Sequence, residues 1–221
     1  MNSTALMILL REKGMPFEAI FADTGCEWPE TYEHIARLKE AGWPITTVRG
    51  SEGGIENIYD YGLRYRILPS VWNRWCTTKF KTKPIYAYTE TPAVMYLGID
   101  AGEEHRAKPS RQKGIEYGFP LIEWGIGRQG CIEIIKKTGM AVPPKSGCWL
   151  CPFQRTGQVR LLRDVHPELY CKVKILEDLC VQRRAEKGKP PFYLYDRPLD
   201  EIVQEDQMEM FGFRKPCTCG L

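Results

Sequence analysis

Glu18-Ala19-Ile20-Phe21-Ala22 running into Asp23-Thr24-Gly25 is the stretch that decides the fold class. The five residues form a short apolar run of strand character that stops at a turn triplet. Pro29–Glu40 follows as a helix. Pro29 suits its first turn, where the missing N–H would have no partner anyway, and Tyr32, Ile35 and Leu38 recur at helical spacing. Ile45–Val48 is a second strand. Strand, helix and strand joined by short connections are the pattern of a parallel α/β sheet.

Upstream, residues 3–13 read as a helix capped by Ser3 or Thr4 and ended by Gly14. Its surface is apolar nearly all round, which predicts a buried crossover helix. Downstream come a turn at Ser51–Gly54, a short helix at Ile55–Tyr65, and a basic helix opening at Asn73 and interrupted by Pro84. Ala93–Ile99 is a third strand, followed by Asp100–Arg106 and a polar loop from Lys108 to Gly118. Gly130–Lys137 is a helix carrying Cys131, and Gln158–Arg163 is another. His166–Lys187 is the longest helix, and its stripe of Leu169, Val173, Leu176 and Cys180 marks Cys180 as core. A shift in composition divides the chain near residue 125, into an α/β half (1–125) and a helical, cysteine-bearing half (126–221).

Composition is that of an ordinary globular protein, with 43% hydrophobic and 27% charged residues. A net charge of +3 does not argue for nucleic acid by itself but permits an anionic substrate. Ala5–Leu10 is too short, and lacks the basic leader, for a secretory signal. No apolar run reaches the length of about eighteen residues that a spanning helix needs. The expectation is therefore a cytoplasmic protein with no membrane partner. In that reducing setting, nine irregularly spaced cysteines read as metal-binding or catalytic.

Three places fall at strand ends, where open parallel sheets bind ligands. Asn2-Ser3-Thr4 opens a helix, whose free N–H groups and dipole suit a phosphate; it also reads as a plain cap. Asp23-Thr24-Gly25, with Glu27, Pro29 and Glu30, places a carboxylate where it would orient a ribose or cap the turn. Gly98-Ile99 allows close backbone approach, and Glu103 and Arg106 lie one helical turn apart, near enough to pair with each other. Arg74, Lys79, Lys81 and Lys83 could receive pyrophosphate or sulfate, or form a solvated face.

The cysteines carry the remaining chemistry. Cys148-Trp149-Leu150-Cys151 brings two sulfurs to one side of a tight turn, with Trp149 and Phe153 available to shield them from water. Cys76 and Cys131 would complete a four-thiolate set for an iron–sulfur cluster or structural zinc. Cys217 and Cys219 lie in a C-terminal tail, where a thiol of lowered pKa could act as a redox nucleophile.

Taken in order, these residues resemble the phosphoadenosine phosphosulfate (PAPS) reductase family of the adenine-nucleotide alpha-hydrolase (PP-loop) superfamily. Asn2-Ser3-Thr4-Ala5-Leu6 looks like the tail of the PP-loop signature. Phe21–Gly25 followed by Pro29-Glu30-Thr31 is similar to the family's Asp-Thr-Gly and Pro-Glu-Thr element. Arg74–Lys81 with Pro84 resembles its Cys, Leu-Lys and Pro stretch, and Gly98-Ile99 with Glu103 and Arg106 the element lining the nucleotide pocket. Pro144–Phe153 looks most like the phage-borne and DNA-phosphorothioation branches, and Cys219-Gly220-Leu221 like the tail bearing the reductase's catalytic cysteine. Cys76 is followed by Thr77 where cluster-bearing members have a second cysteine, so Cys131 or a tail cysteine becomes the fourth ligand. The chain begins inside the PP-loop, so a preceding strand and the loop's glycines are expected upstream.

The resemblance implies a Rossmann-like parallel α/β core with a helical, cysteine-bearing C-terminal part. It implies an enzyme using ATP, with magnesium, for sulfur transfer through adenylylation, or one using PAPS, with Cys219 attacking the sulfonucleotide. The implied nucleotide site is Asn2, Ser3, Thr4, Asp23, Thr24, Gly25, Arg74, Lys79, Gly98, Ile99, Glu103 and Arg106. Cys76, Cys131, Cys148 and Cys151 would hold a 4Fe–4S cluster, or zinc. Its partners would be an adenine nucleotide, a sulfur or electron donor protein and a nucleic-acid substrate. A non-catalytic module stabilised by zinc or a cluster is the alternative.

Overall fold

The computed structural model describes residues 1–144 and 146–203. The chain opens with helix α1 (Asn2–Glu12), strand β1 (Ala19–Asp23), helix α2 (Pro29–Glu40) and strand β2 (Ile45–Arg49). Helix α3 (Ile58–Tyr65) is followed by a helical run made of α4 (Trp75–Thr77), a π-helical segment (Thr78–Thr82) and α5 (Lys83–Tyr88). Strand β3 (Ala93–Tyr96), a 3-10 segment (Ala101–Arg106), strand β4 (Ile115–Gly118) and helices α6 (Pro120–Glu123) and α7 (Arg128–Lys137) come next. Helices α8 (Thr156–Val165) and α9 (Pro167–Glu186) follow.

The chain forms two compact units, each assembled from two stretches. The first takes Met1–Gly50 and Phe80–Gly147; the second takes Ser51–Lys79 and the chain from Cys148 onward. The sequence reading draws a single boundary near 125. Interleaving is a matter of long-range packing, which local composition does not record.

The first unit is the parallel α/β core expected from the strand–helix–strand stretch. β1 and β2 pair in parallel from Ala19↔Ile45 to Asp23↔Arg49, a register that sets Asp23 opposite Arg49. β3 and β4 pair in parallel from Ala93↔Ile115 to Tyr96↔Gly118. β4 lies where a polar loop was expected; four residues paired to a strand some twenty positions away carry little pattern of their own. α1 is buried nearly all round, as its composition requires. Ala5, Leu6, Ile8 and Leu10 pack with Leu121, Cys131 and Ile135 of α6 and α7. Each fully buried Leu or Ile contributes about 1.5–3 kcal/mol relative to exposure, so this cluster anchors the helix on which the candidate phosphate seat stands.

Pro84 does not interrupt the basic helix. It occupies the first turn of α5, where no intrahelical N–H is required, after a π-helical segment has reset the backbone.

The second unit is helical. Gly62 of α3 lies so close to Leu176 of α9 that a Cβ there would fall 2.7 Å from a leucine methyl carbon. On α9, Val173, Leu176 and Cys180 are buried as the stripe requires. Glu177 is buried beside them at 1% exposure. Its carboxylate accepts the backbone N–H groups of Leu194 (3.2 Å) and Leu199 (2.9 Å), fastening the segment after α9 onto the helix.

Candidate functional site

In the first unit a cavity of about 310 Å³ opens beside the start of α1. Ser3 and Thr4 line it from α1, Thr31 and His34 from α2, and Lys81 from the π-helical segment. Ala19–Ala22 form a further wall along β1. The Thr4 hydroxyl and His34 Nε2 are 3.0 Å apart. Burial holds the His34 imidazole below its usual range, so it is neutral at pH 7. Lys81 Nζ lies 2.8 Å from Oε1 of Glu27, a carboxylate only 3% exposed that also accepts the Thr24 hydroxyl at 3.1 Å. A lysine tethered in this way presents a positive charge at a defined place in the cavity.

Asp23 does not face this cavity as a free ligand. Its Oδ1 accepts the Tyr32 hydroxyl at 2.7 Å and the Gly25 N–H at 2.9 Å. Its Oδ2 accepts Arg49 Nε at 2.8 Å and a terminal guanidinium nitrogen at 2.7 Å. A carboxylate offers about four lone-pair positions, and here four donors fill them. Burial opposes the charge, yet the bonds from Tyr32, Gly25 and Arg49 outweigh it and hold the Asp23 carboxyl below its ordinary range. Burial and the same bond push the Tyr32 phenol up. Asp23 fixes the end of β1 and the turn into α2, and Thr24 is wholly buried within that turn.

Other expected groups are placed as follows. Asn2 donates to Asp100 Oδ2 at 2.8 Å, and Asp100 Oδ1 accepts the Gly102 N–H at 2.9 Å. Gly98 lies against α1: a Cβ on it would lie 2.9 Å from both the Ser3 nitrogen and hydroxyl oxygen. Ile99 N–H donates to Leu97 O at 2.8 Å. Glu103 and Arg106 pair with each other at 2.6 Å on the exposed surface. Arg74 and Lys79 belong to the second unit, where Arg74 lies over the Phe153 ring and Lys79 pairs with Glu52 at 2.5 Å. His34, Thr31, Lys81 and the carboxylates Glu27 and Glu30 are the other polar side chains from α2, the turn before it and the π-helical segment that line the cavity. Lys81 carried a signal as one of the basic residues, whereas His34 in a helical pattern carried none.

Three of the four candidate thiolates share the second unit. Cys148 is buried, and its sulfur accepts the Leu150 N–H at 3.4 Å. Gln154 braces the turn, donating to Cys148 O at 2.8 Å and accepting the Tyr195 hydroxyl at 3.0 Å. Burial pushes the Tyr195 phenol up, and the nearby Cys151 and Cys148 add to the shift. Trp149 is buried against Tyr59, with ring centroids 5.6 Å apart, as a shield would be. Phe153 is 54% exposed. Cys76 on α4 is half-buried. Cys131 lies in the apolar core of the first unit, where burial pushes its thiol up, a setting that favours the neutral thiol. Among the described residues, no three His, Cys, Asp or Glu side chains are gathered around one point as metal ligands. Cys217 and Cys219 lie outside the described residues.

The model of one protein family, the phosphoadenosine phosphosulfate reductase domain, matches residues 1–124. The match takes in α1, both strand pairs and the cavity's lining apart from Pro143, Pro144, Ser146 and Gly147. Two proteins of Methanocaldococcus jannaschii are similar, each named only as uncharacterized. The first, MJ0066, is 23% identical over 187 residues, which is 76% of this chain and 37% of the relative. The second, MJ0973, is 23% identical over 171 residues, 70% of this chain and 40% of the relative. The chain thus spans about two fifths of the length of these relatives.

Proposed function

Since the chain belongs to the phosphoadenosine phosphosulfate reductase family of the PP-loop superfamily, we propose that it is an enzyme acting on an adenine nucleotide in sulfur chemistry, with the nucleotide's phosphates or sulfate seated at the start of α1. The observation that carries this reading is the cavity of about 310 Å³ into which α1 presents Ser3 and Thr4, with the Lys81–Glu27 ion pair and Glu30 also on its wall, so that an arriving anion would compete with Glu27 for the Lys81 ammonium. Helix N–H groups and a fixed lysine favour an anion, and they favour most the charge that develops as a phosphoryl or sulfonyl group departs. Neutral His34, beside Thr4, is a hydrogen-bonding partner that adds no competing charge. Asp23 contributes by holding the strand end, not by touching the nucleotide.

Two reactions remain within this proposal. ATP would be cleaved to adenylylate an acceptor, with pyrophosphate leaving. Alternatively, the Cys219 thiolate would attack the sulfur of PAPS, forming an S-sulfonate and freeing the nucleotide, and a second thiol would then release sulfite and close a disulfide. The same proposal includes a metal centre on Cys76, Cys148 and Cys151, completed by a tail cysteine, as an iron–sulfur cluster or zinc. The Leu150 N–H bond to Cys148 supports it. The described residues do not gather a complete ligand set, and no step of the reaction is routed through the metal.

Calorimetric titration of the purified chain with ATP and with PAPS tests the reading. One nucleotide should bind, and Lys81→Met should weaken it about tenfold or more, the loss of one charge-assisted contact. A protein that binds neither, while keeping stoichiometric metal, is the non-catalytic module. Anaerobic purification separates the metals, a brown protein indicating iron–sulfur and a colourless zinc-loaded one a structural site.

A further inference from the structure

The second unit carries an aromatic surface that the nucleotide reading does not use. Trp72 is 91% exposed, although tryptophan normally buries most of its large apolar surface. It is held in place. The Ser70 hydroxyl oxygen accepts the N–H groups of both Trp72 and Asn73 at 3.1 Å, forming a side-chain-stabilised turn. The ends of the loop are pinned as well, because buried Trp75 donates its indole N–H to Leu68 O at 3.2 Å. The loop therefore displays Val71, Trp72, Asn73 and Arg74 to solvent from a fixed base.

Arg74 joins this loop to a second exposed ring. Its guanidinium lies 5.5 Å from the centroid of Phe153, itself 54% exposed. Among the described residues Arg74 has no carboxylate partner. The two exposed stretches, Val71–Arg74 and Phe153–Thr156, contain Arg74 and Arg155 and no acidic residue. One loop of one unit therefore carries an exposed indole and, two residues on, a guanidinium that lies over a second exposed ring and has no carboxylate partner among the described residues.

From this juxtaposition we propose that the Trp72–Arg74–Phe153 surface binds single-stranded nucleic acid, its bases stacking on the indole and phenyl faces and Arg74 meeting the phosphate between them. Every base has a π-face, so stacking platforms of this kind are tolerant of sequence, and basic groups beside them track the backbone. A duplex hides its base faces and cannot use the exposed indole. A membrane surface would call for a broader apolar face and more cations than two arginines supply. None of these side chains lines the cavity at α1, so the proposal does not rest on that seat, although the resemblance had placed Arg74 in the nucleotide site.

Fluorescence anisotropy with a labelled single-stranded dodecamer, in RNA and DNA forms, tests it on the full chain. Binding should appear at low salt and weaken as salt is raised. Trp72→Ala should reduce affinity about fivefold or more, and Trp72→Phe should restore most of it, because the ring and not its N–H is used. Arg74→Gln should lower the slope of log affinity against log salt by about 0.7. Trp72 makes almost no packing contact, so unchanged melting of Trp72→Ala will confirm that the variant is folded. The proposal is overturned if the wild type does not bind the single strand. It is equally overturned if Trp72→Ala binds as well as the wild type, or if the matching duplex binds as tightly. Loss in Trp72→Ala of self-association or of adhesion to anionic vesicles, with oligonucleotide binding intact, would assign the surface to a different occupant and refute this one.

Discussion

Replacing Asp23 by Asn tests whether the end of β1 is held by a charge. The substitution keeps the shape but turns one acceptor oxygen into a donor, while Tyr32, Gly25 and Arg49 all still offer hydrogen atoms. Hydrogen bonds to a charged acceptor contribute about 1.5–3 kcal/mol each, against about 0.5–1.5 for neutral pairs, so Tyr32 and Gly25 each stand to lose about 1 kcal/mol or more. The Arg49 side chain is 61% exposed, so solvent screens its ion pair to about 0.5–1 kcal/mol. The expected loss is about 2–4 kcal/mol at pH 7, read by urea denaturation. The folded Asp23 carboxyl sits below its ordinary value of 3.8, so its contribution is fully present above that value and disappears as pH falls through the folded value. The gap between wild type and Asp23→Asn should therefore narrow between pH 7 and pH 3. A loss under about 0.5 kcal/mol, or a gap that does not change with pH, would refute the argument that a saturated carboxylate secures this strand end.

Three further outcomes follow from the same physics. Glu177→Ala should cost about 2–4 kcal/mol by leaving the Leu194 and Leu199 N–H groups unpaired. Burial raises the folded pKa of Glu177 above 4.5, so its contribution is greatest below that value and shrinks as pH rises through the folded value; denaturation at pH 4 and pH 8 should show the wider gap at pH 4. Gly98→Ala drives a methyl group to 2.9 Å from the Ser3 backbone and should destabilise by about 1–3 kcal/mol in thermal melts, weakening nucleotide binding as α1 shifts. Cys148→Ser should lower metal content and melting temperature together, because a structural metal is part of the folding free energy; elemental analysis showing unchanged metal would count against Cys148 as a ligand.

The elements that could be read from the sequence are those whose signals are local. Pro29 and the Tyr32, Ile35, Leu38 stripe define α2, and the apolar run 5–10 announces a buried α1. What was missed, one strand and one helix pairing, owes its existence to distant partners. β4 is a strand because β3 pairs with it, and α3 joins α9 because Gly62 admits Leu176. The candidate site divides in the same way. The strand-end position of Asp23 was legible, but not that Tyr32, Gly25 and Arg49 would take up every lone pair, since that depends on the β1–β2 register. Gly98 was read as a place where a ligand approaches the backbone; that Ser3 of α1 lies against it required the fold.

The interleaving of the two units has a consequence for biosynthesis. The first fifty residues contain β1 and β2, yet the rest of their unit begins at Phe80 and ends at Gly147. On the ribosome these strands must wait, unfinished, while the intervening helical stretch emerges ahead of its own partners. Neither unit is therefore a cassette that can be excised at one cut, and a truncation anywhere between residues 51 and 147 leaves both of them incomplete.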